Sequence, residues 1–158
     1  MNAKIKIYLK VYLSLLTTAL LAGCSQSNAD YDLIRQVTQL TGKNLSGYRA
    51  VFFVPSQGCD GCINGAENYL LNNYLPRNRK GILFIVTGHK SKKTARIRLG
   101  EQALINQDVF VDYVQAFNRE PFVSTFPKVI FLDEGNVQAI HEINPRGGEQ
   151  VYANLDQI

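Results

Sequence analysis

The sequence is short of the residues that staple small folds or hold metals. It has three cysteines and two histidines among 158 residues. An odd cysteine count excludes a fully paired disulfide framework. One C-x-x-C, Cys59-Asp60-Gly61-Cys62, has no second cysteine pair to complete a structural zinc site, and His89 and His141 are single and far apart. No metal and no other cofactor is expected. There are no internal repeats and no low-complexity segments. The longest apolar stretch near the N-terminus, Val11 to Leu21, is diluted by Tyr12, Ser14, Thr17 and Thr18. It is too short to cross a bilayer, which needs about 20 apolar residues.

That stretch reads instead as a targeting segment. Lys4, Lys6 and Lys10 form a positive start with no acid, and the run ends in Leu21-Ala22-Gly23-Cys24. The tetrapeptide resembles the bacterial lipobox, cut just before a cysteine that carries lipid. The resemblance implies a signal peptide over residues 1–23, lipidation of Cys24, and a tether over residues 24–29. It places the protein in a bacterial cell envelope, anchored to the membrane by acyl chains and facing the extracytoplasmic side. Ser25 after the cysteine, in place of Asp, favours the outer membrane over the inner one if the cell has both. Assigning Cys24 to lipid leaves Cys59 and Cys62 as the only remaining pair.

Charge follows from the same cut. The chain has 17 Lys+Arg and 13 Asp+Glu, a net +4, and removing three leader lysines lowers it to +1. The basic character belongs mostly to the leader and is no argument for a nucleic-acid partner. Arg77, Arg79, Lys80, Lys90, Lys92, Lys93, Arg96 and Arg98 form an acid-free stretch. We read it as a solvated face before a docking surface.

The remaining 30–158 segment predicts one domain. Leu33, Ile34, Val37 and Leu40 repeat at helical spacing, with Asp30 as N-cap and Gly42 as stop. Tyr48 to Val54 and Gly81 to Thr87 are continuous apolar runs of the kind buried on both faces of a sheet. A helix is expected from Cys59 or Cys62 to Leu75, ended by Pro76, and another over 91–105, weakened by Gly100. A short strand over 109–114, strands 128–132 and 137–143 around a turn at Asp133-Glu134-Gly135-Asn136, and a helix over 149–155 complete the order. Strands alternating with helices imply parallel strands with right-handed crossovers, and the closing hairpin makes the sheet mixed. The fold class is α/β.

The C-x-x-C follows a buried strand and opens a helix. A helix N-terminus carries roughly half a positive charge and unpaired N–H groups, which stabilise a thiolate. Cys59 there suits the attacking nucleophile, and Cys62, one turn further in, suits the resolving sulfur.

This arrangement is similar to the thioredoxin-like family. A second landmark, Ser124-Thr125-Phe126-Pro127-Lys128-Val129-Ile130-Phe131-Leu132, resembles the family segment in which a cis-proline precedes the edge hairpin. The resemblance implies a three-layer α/β/α sandwich and thiol–disulfide exchange, as reductase or oxidase, with protein substrates in the envelope. It implies that Pro127 is cis and faces the dithiol, and that Phe126, Pro127, Asp60 and Gly61 shape the substrate groove. A reductase in an oxidising compartment would also need an electron donor across the membrane. We expect a monomer.

The match has departures. Gly58 precedes Cys59 where the family has Trp, and Asp60-Gly61 replaces Gly-Pro. Asp60 places a negative charge beside the sulfurs, against the helix dipole. Phe53 stands six positions before Cys59, where thioredoxin buries an acid. Two other functions fit the same residues. One is a copper chaperone using Cys59, Cys62 and His89, although His89 reads as a surface residue. The other is a binding or scaffold lipoprotein whose disulfide is only structural. Phe52, Phe53, Phe84, Phe110, Phe117 and Phe131 read as core.

Overall fold

A computed structural model describes residues 26–158, with side chains from residue 29 onward. The expected signal segment and lipidation at Cys24 lie outside the described residues. Helix α1 spans Gln26–Thr41 and ends where Gly42, at φ 67°, returns its N–H to the Thr38 carbonyl. Residues 26–29, expected as an irregular tether, are the first turn of this helix. No proline or glycine there interrupts it.

Strand β1 is Ala50–Val54, and helix α2 spans Asp60–Asn68 and continues into a wider π turn over Tyr69–Tyr74. Strand β2 is Ile82–Val86. Helix α3, Lys92–Ile105, starts on a Ser91 cap whose hydroxyl accepts the Thr94 N–H at 3.2 Å. Gly100, at φ 77° and ψ 168°, breaks its regularity as the sequence suggested. Strands β3 (Val109–Val111), β4 (Lys128–Asp133) and β5 (Asn136–Glu142) follow, and α4 (Gly148–Leu155) closes the chain. Only Glu134 and Gly135 separate β4 from β5, and both have positive φ, as a tight hairpin demands.

The five strands form one mixed sheet in the order β3-β2-β1-β4-β5. β1, β2 and β3 run parallel, and β4 and β5 run antiparallel to their neighbours. The alternation of side chains along β1 sorts the core into two faces. Ala50, Phe52 and Val54 pack against Ile63 and Ala66 of α2, Leu70 of the π turn, Leu99 and Ala103 of α3, and Val151 and Leu155 of α4. Val51 and Phe53 pack on the opposite face against Leu33 and Val37 of α1 and against Phe117 and Phe122. Every residue of β1 and β2 is buried, which explains why their sequences are unbroken apolar runs.

The far end of the sheet is locked by a polar network. Asp108, buried, accepts from the hydroxyls of Tyr48 at 3.2 Å and Tyr74 at 3.0 Å. The Tyr74 hydroxyl also accepts the Ile82 N–H at 3.3 Å. The site lies at the other end, where β1 gives way to α2.

Candidate functional site

Pro55 ends β1, and four residues later the chain enters α2. Cys59 is the N-cap of that helix, and its sulfur accepts the Cys62 N–H at 3.4 Å. Cys59 and Cys62 are joined in a disulfide, with Cα atoms 5.3 Å apart. The two sulfurs differ in access. Cys59 is partly exposed, whereas Cys62 retains 9% of its surface. Asp60 and Gly61 are exposed between them, and Asp60 lies in the first helical turn, where a carboxylate complements the helix dipole.

The segment before β4 does meet the C-x-x-C, but through a different residue from the one expected. The Thr125 carbonyl accepts the Cys59 N–H at 2.9 Å. Gly58, at φ 140°, allows this close approach, since a Cβ at that position would collide with the Thr125 carbonyl oxygen. Pro127 is not the cis-proline that the resemblance implied. The cis bond among the described residues is Glu120–Pro121. Pro127 is buried and trans at the entry to β4, and its carbonyl accepts the Ile143 N–H at 2.7 Å, extending the β4–β5 ladder. It therefore serves the sheet.

Two hollows flank the C-x-x-C. One, of about 660 Å³, lies on the Gly58 side and includes Gln57, Lys90, Asn118, Thr125 and Phe126, over a floor of Phe53, Phe117 and Phe122. The other, of about 710 Å³, borders Cys59, Cys62, Gly61, Gly65, Ile143, Arg146, Gly148 and Tyr152. Phe126, expected in the groove with the sulfurs, lines the first hollow and not the second. The floor of the first is an aromatic cluster, with Phe53 centred 5.6 Å from Phe117 and 5.4 Å from Phe122. Phe53 thus points to the sheet face opposite α2.

The rim of the first hollow is held by Asp112. This fully buried carboxylate accepts the N–H groups of Ala116 at 2.9 Å and Phe117 at 2.8 Å. It fixes the turn in which Gln115 takes φ 58°, a left-handed conformation uncommon outside glycine.

His89 is 5% exposed, contrary to the surface position expected of it. Burial lowers its pKa below the ordinary histidine value; the nearby Arg98 lowers it further, and Glu67 opposes both. Arg98 Nε lies 2.6 and 2.8 Å from the two carboxylate oxygens of Glu67. Among the described residues no group of three or more His, Cys, Asp or Glu side chains comes together as a metal site. The basic stretch is partly neutralised: Arg79 pairs with Asp156, Arg96 with Glu101 and Arg98 with Glu67. His141 is exposed on β5 against the edge of Phe131.

Sequence reasoning missed Thr125, Tyr152 and the His89–Glu67–Arg98 cluster. Thr125 acts through its backbone, which no residue type announces. No helix among the described residues is long and apolar enough to cross a membrane. The chain matches no family model, no curated protein and no solved structure.

Proposed function

We propose that this chain is a thioredoxin-like thiol–disulfide exchange protein, acting on protein thiols and disulfides of a bacterial envelope and anchored there by lipid on Cys24. The asymmetry of the cysteine pair carries the reading. A partly exposed Cys59 caps the helix, and a buried Cys62 follows one turn behind. The helix N-terminus favours a thiolate on Cys59.

In the reducing direction, the Cys59 thiolate attacks a substrate disulfide and one substrate thiolate leaves. Cys62, as thiolate, then attacks the Cys59 sulfur of the mixed disulfide, and the second substrate thiolate leaves. Two electrons pass to the substrate, and Cys59–Cys62 closes. In the oxidising direction every step reverses. The sheet order, with β1 central, C-x-x-C at its end and an antiparallel hairpin at one edge, supports a thioredoxin-like arrangement. So does the contact of Thr125 with Cys59.

Equilibration with glutathione buffers tests the reading. A Cys62→Ser variant should trap substrates as mixed disulfides on Cys59. A pair that neither exchanges with glutathione nor traps a substrate would sink the proposal. A potential near −270 mV assigns a reductase, supplied by an electron donor across the membrane, and one near −120 mV assigns an oxidant. Metabolic labelling with a fatty-acid analogue tests the anchor, which fails if Cys24 carries no label.

A further inference from the structure

The Tyr152 hydroxyl is shut away from solvent and has no hydrogen-bond partner among the described residues. A buried donor without an acceptor is costly and calls for an explanation. Its position supplies one. A Cβ placed on Gly65 would lie 3.2 Å from this oxygen, so the hydroxyl rests on α2 where the helix has no side chain. Gly65 is three residues beyond Cys62, hence on the same face of the helix and about one turn away. Cys62, Gly65 and Tyr152 border the same hollow. The ring is fixed by Tyr69 at 5.3 Å and Phe52 at 6.4 Å between centroids. The Cys59 sulfur already has a donor in the Cys62 N–H, whereas the Cys62 sulfur has none among the described residues.

We infer that Tyr152 is a positioning residue whose O–H donates to the Cys62 sulfur when the disulfide opens, stabilising Cys62 as a thiolate. The inference rests on the dithiol reading above. When a substrate thiolate attacks the Cys59 sulfur, the Cys59–Cys62 bond breaks and its electron pair leaves on Cys62. A disulfide sulfur is a weak acceptor and a thiolate a strong one, so the hydroxyl gains its partner only in the opened form. Tyr152 moves no proton in this step. Burial pushes its phenol up to about 12, so it stays a donor at neutral pH. The device favours the reduced protein, and therefore the oxidising direction of exchange.

Tyr152→Phe keeps the ring and removes only the O–H. In a Cys59→Ser background, ultraviolet thiolate absorbance should show the Cys62 pKa raised by about one unit, a tenfold change in ionisation. With both cysteines present, protein disulfide plus two glutathione gives protein dithiol plus glutathione disulfide. That equilibrium should shift about tenfold toward the protein disulfide, about 30 mV in potential. Gly65→Ala, which crowds the hydroxyl from the helix side, should move both readings in the same direction. Tyr69→Phe is the control, because it shares the stack while its own hydroxyl bonds Asp156 at 3.2 Å. If Tyr152→Phe leaves the Cys62 pKa unchanged, or Tyr69→Phe moves it as far, the inference is overturned. Failure of the wild-type pair to equilibrate with glutathione overturns the dithiol reading instead, and the Cys62 titration still decides the role of Tyr152.

Discussion

Thr125 holds the entrance of α2 by accepting the Cys59 N–H at 2.9 Å, across the position where Gly58 has no side chain. The bond ties the loop before β4 to the cap of the cysteine helix. Gly58→Ala meets two penalties together: φ 140° is closed to L-residues, and the methyl collides with the Thr125 backbone. We expect a loss of roughly 1–3 kcal/mol in urea unfolding, the range of a strained backbone position. Exchange with glutathione should also change, because the Cys59 cap moves with the loop. A variant as stable as the parent would show that the Thr125 contact is incidental.

Phe53, six residues before Cys59, belongs to the opposite side of the sheet from Cys62. It packs with Phe117 and Phe122 and is 3% exposed. Phe53→Ala should therefore cost about 3–5 kcal/mol, as large core truncations do. Phe53→Asp should be at least as damaging, since it places a carboxylate in an aromatic cluster without a partner. Stability by denaturant and the exchange rate of the soluble fraction measure both. A Phe53→Asp variant that is stable and exchanges faster than the parent would contradict this account of Phe53.

The order of elements was legible because each buried strand is a continuous apolar run and α1 carries Leu33, Val37 and Leu40 at helical spacing. The Glu134-Gly135 turn was legible from its residue types, which suit positive φ. The candidate site was legible only in part. Cys59 and Cys62 stand in the sequence as a motif, but the isomer of Pro127 is a tertiary decision, and the trans form lets its carbonyl join Ile143. His89 looked exposed because the groups that surround it, Glu67 and Arg98, come from α2 and α3. Such contacts between elements have no local signature.

Asp112 holds the turn that follows β3. Its carboxylate is fully buried and satisfies two N–H groups, those of Ala116 and Phe117. Asp112→Ala strands both donors, each costing about 1–3 kcal/mol when left unpaired in the interior. We expect a destabilisation of about 2–6 kcal/mol. Hydrogen exchange should rise first at Ala116 and Phe117, ahead of β1 and β2. Unchanged protection at those two amides would show that the turn is held by something else.

His89 makes stability depend on pH in a direction fixed by its surroundings. Burial is the largest cause of its lowered pKa, Arg98 adds to it, and Glu67 partly offsets it. In the unfolded chain the residue returns to about 6.5. As pH falls through that value, the unfolded state takes up a proton that the folded state still refuses. The unfolded state then binds more protons, so stability drops with falling pH until the folded His89 protonates as well. Urea unfolding between about pH 7.5 and 5 should show this decline. A His89→Gln variant, which keeps a polar side chain and removes the titration, should show a flatter profile than the parent over the same window. Parallel profiles for the two proteins would assign the decline to the carboxylates and remove His89 as its source.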